Sequence, residues 1–209
     1  MSTVIDFLSA KRLSKHGKPE CVRTQAQYFF NVRLCESFYP SISQFEVALR
    51  NKIDQVFTRH MGADWIFDFV KADERLTTEK QITDRDELID SMTFAFWSRL
   101  FMQERDADIW SKYPTALSEI FENRKEALIL SKVSYEIEQI RRYRNRLSHN
   151  GSLLICSKRQ MPCHKIHNLL LRMMREMAAS PLLNQIKKID RFNEVFTDGK
   201  NLGFITCKL

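Results

Sequence analysis

The stretch from Asn123 to Ser148 reads NRKEALILSKVSYEIEQIRRYRNRLS and predicts one long amphipathic helix. Its apolar residues recur at spacings of three and four, which places them on one helix face. The pair Asn150-Gly151 then predicts the helix end, because Gly tolerates the left-handed conformation that closes many helices. A long helix with one apolar side predicts packing against other helices. The apolar stripe consists of Leu128, Ile129, Val133, Ile137 and Ile140.

Similar patterns run through the rest of the chain. Pro40 is expected to end one helix, and Ser41 or Ser43 to cap the next, with Glu46 completing a capping box after Ser43. The aromatic block at 94–101 is dense enough to be buried, and we interpret it as part of a helical core rather than a base-stacking surface. Helices are predicted at about 4–13, 21–37, 41–61, 92–102, 123–148, 164–178 and 182–192, with a short helix or a loop at 64–69.

The composition supports a single all-α domain. With 209 residues but only 5 Gly and 5 Pro, the chain has too few turn residues for an all-β sandwich or barrel. We predict a helical bundle with an inserted middle segment, spanning 1–209 with a core at about 20–197 and short appendages at both ends. The sequence contains neither a run of about 20 apolar residues nor a secretory signal pattern, which predicts a cytoplasmic protein without a membrane partner.

Five scattered cysteines fit a reducing compartment, because their number is odd and no CxxC pair occurs. Four potential zinc ligands do lie close together in sequence, and they leave a zinc-stabilised DNA-binding protein as a third hypothesis. Their spacing matches none of the common finger or ribbon patterns, so no metal site is predicted. These four residues are Cys156, Cys163, His164 and His167.

Charge is distributed unevenly along the chain. Residues 1–60 carry a net charge of +4, residues 61–120 carry −6, and residues 121–209 carry +9. A basic excess concentrated in one part of a chain suits a polyanionic partner, with nucleic acid as the first candidate.

The densest basic segment is Arg141-Arg142-Tyr143-Arg144-Asn145-Arg146-Leu147-Ser148-His149-Asn150-Gly151. Guanidinium groups bind phosphate through paired hydrogen bonds, and imidazole transfers protons near neutral pH. Asn145 and His149 share a helix face, whereas Arg144 lies about 140° around an ideal helix from His149. Such a set can bind an RNA phosphodiester and accept a proton from its 2′-OH. A basic last helical turn that stabilises the helix dipole explains the same residues without any activity.

Three segments, in order, resemble the Abi-like (abortive infection) family of the HEPN superfamily. Residues 144–149 resemble its R-x4-H signature, here with Asn after the Arg. Residues 46–53, followed by Gly62 and Trp65, resemble its E-x-x-LRN-x-I … G-x-x-W element. Residues 94–101 resemble its F-x-x-W-x-x-L-F element, so that the resemblance covers most of residues 20–150.

The resemblance implies a HEPN-like bundle with metal-independent endoribonuclease activity and no cofactor. It also implies a homodimer with the active cleft at the interface, RNA as substrate, a role in phage defence or as a toxin, and an antitoxin or other regulatory protein as a further partner. Arg144, His149 and Asn145 become the catalytic set. The RNA-contacting or supporting residues become Arg141, Arg142, Arg146, Asn150, Glu46, Arg50 and Asn51.

One departure from the family keeps an alternative open. Many Abi-like members read AHHEP at the end of the motif, where this chain reads Ser148-His149-Asn150-Gly151-Ser152. The second His and the Glu are therefore missing. The alternative is a non-catalytic HEPN module that binds RNA, a nucleotide or a partner protein.

Overall fold

The computed structural model describes residues 4–72, 82–154 and 161–205. Within these ranges the chain forms α-helices and short helical turns and no β-strand. This confirms the all-α prediction. A 3-10 turn at Gln103–Arg105 and a π-helical turn at Asp106–Trp110 lie between α6 and α7. The α-helices are α1 (Val4–Leu8), α2 (Ala10–Leu13), α3 (Val22–Met61), α4 (Trp65–Ala72), α5 (Arg85–Ser91), α6 (Phe94–Arg99), α7 (Ala116–Ile120), α8 (Leu130–Ser148), α9 (Cys163–Glu176), α10 (Ser180–Ile189) and α11 (Phe192–Asn201).

Helix α3 is the largest departure from the sequence predictions. Pro40 does not break it, and the two helices predicted on either side form one 40-residue helix. Proline removes one helical hydrogen bond, the one to the carbonyl of Glu36, and Glu36 is an exposed residue of α3. The predicted capping box at Ser43 does not form because no helix begins there, and Ser43 Oγ instead lies 3.5 Å from the Pro40 carbonyl oxygen.

The other predicted helices hold with shifted ends. The N-terminal helix divides into α1 and α2 at Ser9, which has a φ of 59°. The aromatic block forms α6, whose first turn is capped by Thr93, since its side chain accepts a hydrogen bond from the amide of Phe96 at 3.4 Å. Helix α11 was not predicted; it begins just after Asp190, whose carboxylate accepts a hydrogen bond from the Phe192 amide at 2.9 Å.

Helix α8 begins at Leu130, seven residues later than predicted. The preceding segment is fixed by contacts distant in sequence instead of by helical hydrogen bonds. The Asn123 amide donates to the Glu176 carbonyl at 2.9 Å, and the Arg124 guanidinium binds the Glu136 carboxylate at 3.1 Å. These contacts replace the helical bonding that the local pattern had predicted.

The chain divides into two compact units. The first unit contains Met1–Gln44, Arg142–Leu171 and Pro181–Leu209, and the second contains Phe45–Arg141 and Arg172–Ser180. In the first unit, Phe38 packs edge-on against Phe192 with ring centroids 5.0 Å apart.

The core of the second unit is rich in aromatic side chains. Phe57 packs edge-on against Trp65 with ring centroids 5.0 Å apart. The aromatic block at 94–101 is buried here, which confirms its interpretation as core. The buried aromatic and aliphatic residues of the block are Phe94, Phe96, Trp97, Leu100 and Phe101. Met173 and Met174 of α9, and Met177 just after α9, are buried as well.

Candidate functional site

The R-x4-H motif occupies the last turn of α8, in the first unit. Arg144, Asn145 and Ser148 belong to the helix, and His149 is the residue that follows it. Asn145, Ser148 and His149 are exposed, and Arg144 is partly buried. The histidine therefore lies exposed at the C-terminal end of the helix.

The end of α8 has a defined backbone geometry. The Asn150 amide donates to the Leu147 carbonyl at 3.0 Å, and the Gly151 amide donates to the Arg146 carbonyl at 2.7 Å. This pair of bonds is a Schellman motif, in which one residue must adopt the left-handed conformation. That residue is Asn150, with a φ of 48°, rather than Gly151 as predicted. Gly151 is needed for close approach, because a Cβ there would lie 2.5 Å from Arg146 Cγ.

Arg144 is connected to the helix terminus through Ser148. Arg144 Nη1 donates to Ser148 Oγ at 3.3 Å, and Ser148 Oγ donates to the Arg144 carbonyl at 3.1 Å. Ser148 directly precedes His149 in the sequence. The contact therefore holds the Arg144 guanidinium against the last turn of α8.

The neighbouring arginines differ in their surroundings. Arg146 stacks over the Tyr143 ring at 5.8 Å, and Arg142 is exposed. Arg141 belongs to the second unit and binds the Glu138 carboxylate through Nε at 2.6 Å and Nη2 at 2.9 Å. The hydrogen bonds that Arg141 donates to Glu138 raise the pKa of Arg141 above its ordinary value. Arg141 is therefore partly neutralised by Glu138, which weakens it as a candidate for phosphate binding.

The second group of predicted site residues lies in the C-terminal half of α3. Glu46, Arg50 and Asn51 all belong to the second unit. Arg50 binds the Asp90 carboxylate at 2.8 Å and donates through Nε to Asn51 Oδ1 at 3.1 Å. Arg50 therefore has structural partners on α5 and on its own helix. An RNA-contacting role for these three residues stays a prediction.

Of the four potential zinc ligands, Cys156 lies outside the described residues. His167 is fully buried, stacks on Phe192 with centroids 4.2 Å apart, and hydrogen-bonds Asp190 at 2.8 Å. Burial raises the pKa of Cys163 to about 12, so its thiol is neutral at physiological pH. Over residues 4–72, 82–154 and 161–205, no group of three or more His, Cys, Asp or Glu side chains is arranged to hold a metal ion.

The two units differ strongly in net charge. The first unit contains 17 basic and 6 acidic residues, a net charge of +11, whereas the second contains 16 and 20, a net charge of −4. Residues 142–171 alone contribute six basic residues and no acidic one. The unit that carries His149 therefore has a strong excess of positive charge.

Two residues outside the motif help to fix it, and neither is among the predicted site residues. Asn31 of α3 hydrogen-bonds the backbone at Gly151 and Leu153, and the Tyr143 hydroxyl donates to the Met161 carbonyl. Burial raises the pKa of Tyr143, so it stays a neutral donor. The signal in the sequence was an Asn among apolar residues of a predicted helix, because a buried amide needs a partner, but the sequence does not identify that partner.

The comparisons with known proteins add no relative. No family model, curated protein or solved structure matches this chain. Among the helices of the described ranges, none combines the length and apolar character needed to cross a membrane.

Proposed function

We propose that this protein is a metal-independent endoribonuclease whose catalytic groups are His149, Arg144 and Asn145. The observation that carries the proposal is the placement of His149. It is exposed at the end of α8, next to the residue that binds the Arg144 guanidinium, within a unit of net charge +11. Exposed imidazole and guanidinium groups in a positive field suit a phosphodiester substrate.

The proposed reaction is an internal transesterification. The neutral imidazole of His149 accepts the proton of a ribose 2′-OH, and O2′ attacks the adjacent phosphorus. The bond from phosphorus to O5′ breaks, the imidazolium returns a proton to O5′, and the products are a 2′,3′-cyclic phosphate and a 5′-OH. Arg144 stabilises the extra negative charge on the phosphoryl oxygens in the transition state.

The remaining polar residues of the segment have supporting roles. Asn145 lies four residues before His149, on the same side of α8, where its amide can orient the substrate or the imidazole. Arg142 and Arg146 lie four apart and can bind phosphates of neighbouring nucleotides. The exposed Asn150 lies directly after His149 and is a further RNA contact.

The cellular role follows from the same proposal. An RNase of this type would act in the cytoplasm, in phage defence or as a toxin, and would need an antitoxin or regulatory protein to restrain it. A non-catalytic module that binds RNA, a nucleotide or a partner protein is the competing function. Incubation of the purified protein with RNA separates the two functions, because a binding module leaves the RNA intact.

RNA cleavage is expected to persist in EDTA, since the proposed chemistry uses only Arg, Asn and His side chains. Purified protein is incubated with total RNA in EDTA or in Mg²⁺, and the RNA ends are analysed for cyclic phosphate. Equal rates in the two buffers support the mechanism. Loss of activity in chelator, with recovery in Mg²⁺ or Mn²⁺, would refute it.

The protein is also expected to form a symmetric homodimer with residues 141–151 of both chains near the two-fold axis, because a second chain can complete a site whose groups are spread around one helix. Light scattering at micromolar concentration should give twice the 24.8 kDa of one chain. Asn145→Cys should cross-link the dimer under mild oxidation. Wild-type protein is the control, because its exposed Cys21 reports non-specific oxidation. A monomer, or a dimer that does not cross-link at this position, would contradict the proposed arrangement.

A further inference from the structure

A buried amide on α3 holds the backbone that follows the R-x4-H motif. The Asn31 side chain is 1% exposed, and both of its polar ends bind backbone groups of the first unit. Asn31 Nδ2 donates to the Gly151 carbonyl at 3.3 Å, and Oδ1 accepts from the Leu153 amide at 2.7 Å. A weaker contact joins Nδ2 to Cys35 Sγ at 3.8 Å. We call the two backbone hydrogen bonds the Asn31 bridge.

The chemistry of the position explains why an amide is found there. Leu153 is 1% exposed and lies in a segment without regular secondary structure, so its buried N–H needs a side-chain partner. Asparagine is a short neutral residue that can donate to one peptide group and accept from another. Leaving the buried Leu153 amide unpaired would destabilise this segment.

The Asn31 bridge and the helix end meet at Gly151. The amide of Gly151 donates to α8, at the Arg146 carbonyl, while its carbonyl accepts from Asn31 on α3. One residue thus ties the end of α8 to the buried side of α3. His149 lies two residues before Gly151, within the turn that this double attachment closes.

We propose that Asn31 is a positioning residue of the R-x4-H site, which fixes the backbone that carries His149 through the peptide groups of Gly151 and Leu153. This inference rests on the proposed ribonuclease function. Asn31 is buried and does not contact substrate. Its effect is therefore on the orientation of the imidazole. RNA affinity depends instead on the arginines of α8, whose backbone is held by helical hydrogen bonds.

The test compares two substitutions of Asn31 with a matched control. Asn31→Leu keeps the approximate volume and removes both hydrogen bonds. Asn31→Asp keeps the acceptor for the Leu153 amide and loses the donor to Gly151. Ser37→Ala is the control, because Ser37 is also buried on α3 but donates only to the Leu34 carbonyl of the same helix, at 2.8 Å. For each protein the single-turnover cleavage rate, the RNA affinity and the hydrogen exchange of the Leu153 amide are measured well below its melting temperature.

Asn31→Leu is expected to slow cleavage roughly tenfold to a hundredfold, because small displacements of a catalytic group have effects of this size. RNA affinity should stay within about twofold, since the phosphate contacts that dominate it remain. Exchange of the Leu153 amide should accelerate. Asn31→Asp should show a smaller loss of rate, and Ser37→Ala should match the wild type.

A folded Asn31→Leu protein with fast Leu153 exchange and a wild-type cleavage rate would overturn the proposal. If Asn31→Leu does not fold, Asn31→Asp decides in the same way. Parallel losses of rate and affinity would also overturn it, because they indicate a general loss of structure. Wild-type protein that cleaves no RNA would overturn the proposed function and this role with it, whereas an active wild type with unaffected Asn31 variants overturns the role of Asn31 alone.

Discussion

Replacing His149 by alanine is expected to lower the rate of RNA cleavage by roughly two orders of magnitude or more, the usual contribution of a general acid–base group. RNA affinity should change little, because it comes mainly from the basic residues of the first unit and is salt-dependent. The exposed position of His149 after α8 also predicts little loss of stability. Single-turnover kinetics and filter binding on the same RNA separate the two quantities.

Arg144 should behave differently from His149 in the same assays. Arg144→Ala removes a charge that contacts the phosphate in both the ground state and the transition state, so rate and affinity should fall together. Arg144→Lys should recover part of the loss, because an ammonium group keeps the charge but not the two-pronged contact.

His16→Ala is the control for His149→Ala, because it replaces a histidine of the first unit outside the motif.

A folded, dimeric His149→Ala protein that cleaves RNA at the wild-type rate would remove His149 from the mechanism. Circular dichroism and light scattering establish the fold and the dimer for each variant. If the protein is instead a binding module, the wild type will show no cleavage. The His149 substitution would then act only through stability or dimer contacts, which appear as a change in melting temperature.

Local sequence signals predicted those parts of the fold that depend on local interactions. The end of α8 is an example, since Asn150 and Gly151 provide the left-handed residue and the close approach that a Schellman motif needs. The buried aromatic block at 94–101 is another, because its density alone predicts a core. The motif residues Arg144, Asn145 and His149 were likewise placed correctly at the end of a helix.

The errors occurred where distant contacts override local signals. Pro40 predicted a helix break, yet α3 continues through it, because only one hydrogen bond is lost there and it lies on the exposed side. Residues 123–129 have a helical pattern, but the Asn123 amide binds the Glu176 carbonyl, more than 50 residues away. Asn31 could not be assigned to the site because its partners are backbone groups about 120 residues later in the chain.

The second large effect is expected in the second unit, where two arginines and two glutamates form a buried cluster. Arg124 Nη1 binds Glu136 at 3.1 Å and lies 3.4 Å from Glu176, and its side chain is 1% exposed. Arg172 binds both glutamates, at 2.8 and 2.7 Å, from a more exposed position at 35%. This alternation of charges pairs each carboxylate with both guanidinium groups.

Arg124→Ala is expected to lower the free energy of unfolding by about 3–5 kcal/mol, because it leaves buried carboxylates without one of their two cations and opens a cavity. Arg172→Ala should lower the free energy of unfolding by less, because water can solvate the carboxylates at the position of Arg172 and Arg124 remains bound to them.

Urea unfolding of the two variants and the wild type measures the difference. Replacing Arg124 and Glu136 together by methionine should restore part of the stability that Arg124→Ala loses, because Arg172 then has only the Glu176 carboxylate to neutralise. If Arg124→Ala and Arg172→Ala lower the free energy of unfolding equally, the deeper burial of Arg124 does not increase its contribution to stability. If Arg124→Ala costs less than about 1 kcal/mol, the segment before α8 is held by its backbone contact to Glu176 rather than by the charges.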